Sequence, residues 1–284
     1  MDSSQFFGIA MIVYILATAF YLGLFLFKNE RLGLIGMLLA VAGTCAQTAA
    51  LGLRWYESYQ MGIGRAPLTN MYESLVFFAW CIACFYLVLE YHLKTRIMGA
   101  FVMPSVAVAM AYASFADRMD SNINPLVPAL QSNWLIAHVV TCFIGYAAFT
   151  VACALGMMYL LKQRAENKSR QNSRSLTDAF PPLPMLDDLT YKTIIFGFMW
   201  LSAGIITGAV WANEAWGTYW SWDPKETWSI ITWFLYALTL HARFTREWRG
   251  QRIAWLAILG FVAVLFTYFG VNFLLSGLHS YGSA

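Results

Sequence analysis

The chain has 284 residues, 60% hydrophobic and only 12% charged, about half the charged share of a soluble domain. That excludes an ordinary water-soluble globule and places most of the chain in lipid. The formal charge of +3 comes without any basic patch interleaved with aromatics, which excludes a nucleic-acid partner.

Eight apolar runs follow in chain order, at roughly 6–27, 32–53, 75–93, 97–116, 134–161, 193–213, 224–243 and 253–275. Each is near the ~20 residues that one bilayer crossing requires. The expected fold class is therefore all-α, a polytopic integral membrane protein of about eight transmembrane helices in a single membrane domain over 1–284. The first run reads as a helix and not as a signal peptide: Asp2 replaces a basic start, no small-residue cleavage site follows, and Lys28 to Arg31 close it like a membrane turn.

Lys and Arg set the orientation, because basic loops stay on the cytoplasmic side. Fourteen fall on one side of the alternating topology: Lys28, Arg31, Lys94, Arg96, Lys162, Arg164, Lys168, Arg170, Arg174, Lys192, Arg243, Arg246, Arg249 and Arg252. Only Arg54, Arg65, Arg118 and Lys225 fall on the other. Both termini are thus expected on the outer side, periplasmic or lumenal. The one linker-like stretch, Lys162 to Thr177 followed by FPPLP at Phe180 to Pro184, is expected to form a mobile cytoplasmic loop over 162–187.

Three outer segments carry most of the information, at 54–74, 117–133 and 211–228. The last reads WANEAWGTYWSWDPKETW, with Trp211, Trp216, Trp220, Trp222, Trp228 and Tyr219 among its eighteen residues. An aromatic belt at headgroup depth explains one or two such rings per helix end, not six. Asp223, Pro224 and Glu226 have the spacing of N-cap, first helical residue and third-position acid of a capping box. Asp223 therefore reads first as a cap. Asn70 and Glu73 repeat that spacing before the third run.

A flat, largely apolar ligand with an acidic edge suits a shelf of indole rings, which stack while their N–H groups bond outward. Haem fits that description, and histidine is the commonest nitrogen donor to its iron. The chain has four histidines. His138, one turn after Trp134, and His279, after the last span, both fall at the depth of the tryptophan segment; they are either an axial pair or two unrelated histidines at helix ends. His241 lies about seventeen residues into the helix that begins at Pro224, ~25 Å from the outer surface. It is either a functional intramembrane group, of the kind that usually faces the bundle interior, or a side chain snorkelling toward Arg243 to Arg252. His92, beside Lys94 and Arg96, reads as interfacial.

All five cysteines, Cys45, Cys81, Cys84, Cys142 and Cys153, fall inside spans, which argues against an extracellular disulfide framework. Cys81 and Cys84 form a CxxC, and a membrane thiol–disulfide transporter built on them is the alternative to haem handling. Small buried cysteines are the plainer reading.

WGTYWSWDPKETW resembles the tryptophan-rich WWD signature of the haem-handling membrane proteins of cytochrome c maturation. With the upstream APLTNMYES, eight spans and a histidine after the last one, the whole chain resembles the CcsA/ResC family of System II cytochrome c synthases. That resemblance implies cytochrome c biogenesis, with haem b as the transported substrate. It implies that His138 and His279 are the outer axial ligands, and that His241 is a transmembrane ligand whose counter-ligand lies on a CcsB/ResB partner. Trp216, Gly217, Trp220, Trp222, Asp223 and Pro224 fall on the signature. The other partner implied is an unfolded apocytochrome c, which would receive haem at its CXXCH motif through two thioether bonds. No residue reads as a dedicated general base, so the resemblance implies a subunit of a cytochrome c haem lyase, not a catalyst alone.

Overall fold

The computed structural model describes residues 2–116, 119–127, 130–168, 176–275 and 277. Among the described residues every regular element is helical, and there is no strand. Eight helices carry the fold: α1 Ser3–Phe27, α2 Glu30–Gln60, α3 Met71–Leu93, α4 Gly99–Phe115, α5 Asn133–Lys168, α6 Leu183–Trp216, α7 Pro224–Arg246 and α8 Gln251–Leu274. Six of them, all except α4 and α7, are long and apolar enough to cross a membrane. α4 has 17 residues; α7 has 23, but its run of threonines, serine and His241 makes it less apolar. The chain is a polytopic membrane protein.

The helices extend beyond the apolar runs that announce them. α2 continues to Gln60, α5 to Lys168, and α6 begins at Leu183 instead of 193. Apolar length measures what lipid can cover, whereas these extra turns bury polar groups against neighbours. Arg54 and Ser58 are buried at the end of α2 while Trp55, Tyr56 and Tyr59 on the same turns are exposed. The expected mobile loop is also shorter. Phe180 is buried against Phe25 and Phe101, and its carbonyl accepts from Lys162 Nζ at 2.9 Å. Of that stretch, 169–175 lie outside the described residues.

α5 is the central helix. Within its apolar stretch 78% is buried, against 28% in α2 and α6, and it packs on α3, α4, α6 and α8. Its buried face is rich in small side chains, Ala147, Ala148, Ala152 and Ala154, which let neighbouring backbones approach closely where lipid offers no hydrophobic drive for association.

Polar pins lock the two ends of the bundle. At the Lys/Arg-rich end, Asp187 of α6 accepts from Arg243 Nη1 at 2.9 and 2.8 Å and from the Gly250 N–H at 2.7 Å. That one carboxylate ties α6, α7 and the turn before α8. Nearby, Tyr21 and Tyr86 both donate to buried Glu90. At the other end, the Ser3 N–H donates to Glu57 at 2.9 Å, clipping α1 to α2.

The heaviest pin at that end is Glu73, in the first turn of α3. It accepts from Arg54 Nε at 2.8 Å and from Arg65 Nη1, with all three side chains buried. Asn70 caps α3 by accepting from the Glu73 N–H at 2.8 Å, as its spacing predicted. The guanidiniums then reach across to the α4–α5 connection: Arg54 donates to the carbonyls of Ser121 and Asn122, and Arg65 to that of Asn124. Within this connection Asp120 accepts from the Asn122 N–H at 2.9 Å, which holds its carboxyl below the usual range.

Removing one partner of a buried ion pair strands the other charge, at a cost of about 3–5 kcal/mol, whereas an exposed pair contributes about 0–1. Glu73→Ala is therefore expected to lower the thermal unfolding midpoint markedly. Lys192→Ala, which loses the exposed contact to Asp188 one turn away, is expected to leave it nearly unchanged. Equal shifts in detergent-solubilised protein would show that the Glu73 cluster is not holding this end.

Candidate functional site

Between α6 and α7 the chain makes a short, heavily specified turn. Trp216 ends α6, and Gly217 takes the left-handed C-cap conformation at φ 77°, its N–H bonding the Asn213 carbonyl. A side chain there would be strained. Trp222 is also left-handed, at φ 60°, a conformation that costs a residue with a Cβ about 1–2 kcal/mol. The capping box at the start of α7 holds it in place. Glu226 accepts from the N–H groups of Ser221 at 2.8 Å and Asp223 at 3.2 Å, and Asp223 accepts from the Lys225 N–H at 3.1 Å. Both carboxylates are buried while the Trp222 ring, 71% exposed, points outward. Asp223 is thus a cap, as its spacing with Pro224 and Glu226 indicated.

Beneath this turn lies a cavity of about 580 Å³ walled by α3, α5, α6, α7 and α8, within the usual range for a ligand site. Trp220 turns into it, edge-on to Trp222 at 5.7 Å. The Trp220 Nε1–H is buried and has no acceptor among the described residues. Leu68, Thr69 and Asn70 contribute another wall, held by the Arg54–Glu73–Arg65 cluster beside them.

His138 stands on the α5 wall. Its Nδ1 is 2.7 Å from the Gly204 carbonyl of α6. A carbonyl only accepts, so Nδ1 carries the proton and the lone pair lies on Nε2. The Trp211 ring lies nearly parallel to the imidazole, at 12° and 6.1 Å, and Trp216 meets Trp211 edge-on at 4.8 Å. Helix α6 approaches the imidazole closely at Gly208, where a Cβ would fall 2.6 Å from Nδ1 and 2.7 Å from Cε1. A carbonyl and an aromatic ring thus fix the orientation and tautomer of this histidine.

The fifth wall comes from a π turn, Phe266–Gly270, within α8. The Val271 N–H reaches the Phe266 carbonyl five residues back. Asn272 follows; its Nδ2 donates to the Tyr268 carbonyl at 2.6 Å, which turns Oδ1 toward Lys225 Nζ at 3.1 Å. Such turns are frequent at functional sites.

The structure therefore gathers His138 and Trp220 around one cavity, while Trp216, Gly217, Trp222, Asp223 and Pro224 form the adjoining turn and do not line it. His279 lies outside the described residues. Gly277, two residues earlier, lies against Asp223, close enough that a Cβ there would fall 2.3 Å from Oδ1. His241 is not part of this site: it is exposed on α7, near the Arg243–Asp187 pair at the opposite end, and faces away from the bundle interior. His92 is exposed at the end of α3. Cys81 is buried and Cys84 partly so; neither lines the cavity. In the sequence Trp211 counted only among the aromatics of 211–228 and Lys225 only among the few basic residues of the outer side, and Asn272 was not singled out; no local motif marks the three as partners of one cavity.

Residues 68–279 match the family model described as Cytochrome C assembly protein. The cytochrome c biogenesis protein CcsA of Guillardia theta is 43% identical over 278 residues, covering 93% of this chain and 91% of its own. The CcsA of Parasynechococcus marenigrum is 42% identical over 90% of this chain and 88% of its own. Among solved structures, the cytochrome c haem lyase CcmF shares the fold, with a TM-score of 0.72 over 98% of this chain and 48% of that one, at 18% identity. The chain is thus a member of the cytochrome c assembly protein family, related along most of its length to the CcsA proteins.

Proposed function

We propose that this protein works in cytochrome c biogenesis, holding haem b in the cavity beside the α6–α7 turn and presenting it for thioether attachment to the CXXCH motif of an apocytochrome c. The observation that carries the reading is His138. It is a cavity-wall imidazole whose Nδ1 is committed to the Gly204 carbonyl, so that Nε2 is the nitrogen that would ligate iron. Haem is the substrate here, and the walls suit it, with flat aromatic faces and few charges. His279 would supply the second axial ligand from the C-terminal segment, and the histidine of CXXCH would replace one of the two on transfer.

The site belongs on the outer side of the membrane. The segment 211–228 and the α4–α5 connection share one end of the bundle, and the end carrying most of the Lys and Arg, with residues 162–187, faces the cytoplasm under the positive-inside rule. A bacterial inner membrane and a thylakoid membrane both satisfy that arrangement. His241 serves a second, earlier station. Its exposure on α7, in line with Phe234 and Leu238, suits an iron ligand shared with a CcsB/ResB-type membrane subunit. Haem would enter there and move to the outer cavity. The protein's own contribution is orientation and control of the iron through its axial ligands; with the partner it would form the haem lyase.

For the outer site, the complex with the partner subunit should be purified and its haem content and absorption spectrum recorded. His138→Ala and His279→Ala are each expected to lower haem content and shift the spectrum. Gly208→Ala should do the same more mildly by displacing the imidazole. Haem content and spectrum unchanged in both histidine variants would sink the outer-site assignment.

His241→Ala is expected to reduce bound haem overall, because loading precedes display; normal loading would contradict the two-station route. Asp223 separates cap from ligand contact. Asn caps as well as Asp, and Ala costs about 1 kcal/mol, so Asp223→Asn should retain both stability and haem. Loss of haem in Asp223→Asn at unchanged melting temperature would give Asp223 a direct role.

A further inference from the structure

The cavity wall carries a cation, Lys225, that makes no ion pair among the described residues. Lys225 Nζ lines the wall and donates one hydrogen bond, to Asn272 Oδ1 at 3.1 Å. The two nearest carboxylates in sequence are engaged with backbone: Asp223 accepts from the Lys225 N–H, and Glu226 from the N–H groups of Ser221 and Asp223. Among the described residues no carboxylate lies within ion-pair distance of Lys225 Nζ. An ammonium has three donors, and burying donors beyond the one that Asn272 accepts is costly unless a ligand supplies the acceptors. The orphaned Nε1–H of Trp220 faces the same deficit in the same cavity, and an unsatisfied buried donor calls for an explanation.

We propose that Lys225, oriented by Asn272, is the anchor for a carboxylate of the ligand. On the haem reading above, on which this rests, that carboxylate is a porphyrin propionate. The Trp220 N–H provides a second, neutral donor to the same acidic edge. Asn272 is a positioning residue: with its amide donor committed to the Tyr268 carbonyl, its oxygen holds the ammonium on the cavity wall. Iron held from α5 by His138 and a propionate held from α7 by Lys225 fix the ring at two points. Two points on a flat ring determine which edge is turned toward the wall, and so how the two vinyl groups are presented to the incoming cysteines.

The test compares ferric haem with its dimethyl ester, in which both propionates are neutral and the iron and ring are unchanged. Binding to the complex with the partner subunit in lipid nanodiscs is followed by absorption. The wild type is expected to prefer haem over the diester by about tenfold or more, the scale of one hydrogen bond to a charged group. Lys225→Met should weaken haem by about that factor and leave diester affinity unchanged, which also shows that the variant site is folded. Lys225→Arg should restore the preference for haem.

A wild type that binds both ligands equally, or a Lys225→Met variant that weakens both equally, would overturn the anchor while leaving haem binding intact. A wild type that binds neither ligand would overturn the haem reading itself, and the anchor with it.

Discussion

A single carboxylate, that of Glu73, ties together the end of the bundle that holds the cavity. It lies buried between two guanidiniums in a protein with few charges to spare, and each arginine extends the link to a different part of the α4–α5 connection. The cluster carries an excess positive charge that is spread over loop carbonyls, so the connection is held down by ion–dipole contacts and needs no regular structure of its own. Leu68, Thr69 and Asn70, between Arg65 and Glu73, inherit their place from it, and they form one wall of the cavity.

This arrangement follows from the solvent. In lipid, apolar contact brings little net gain, so helices settle by close approach of small side chains, and polar groups near the ends decide register. Glu57, Glu73, Glu90 and Asp187 each tie elements distant in sequence. The cavity lies where this scheme is least apolar, below the α6–α7 turn, where His138, Lys225, Glu226 and Asn272 replace aliphatic packing.

Much of this was legible in sequence because it is local. Apolar length gave eight helices, and the spacing of Asp223, Pro224 and Glu226 gave the capping box. Helix ends were less legible: Arg54 at the end of α2 and Asp187 near the start of α6 read as termini but are buried by partners far along the chain. The position of His138 near the start of α5 could be read; its orientation could not, since Gly204 and Gly208 belong to another helix. For His241 the sequence left two readings, an inward-facing group or a side chain snorkelling toward Arg243 to Arg252, and the structure exposes it on α7, away from the bundle interior. Lys225 was hidden by its own neighbourhood, since a lysine inside a helix cap attracts no notice until Asn272 is seen opposite it.

The π turn in α8 gives this arrangement a numerical character. A widened turn takes up one residue more than an α-turn, and one residue corresponds to about 100° of rotation around a helix axis. Everything after Phe266 is therefore rotated relative to the helix before it, Asn272 included. Shortening that turn by one residue would leave every side chain of the site chemically intact and swing the amide away from the ammonium. Within α8 the site is specified by a count of residues as much as by their identity.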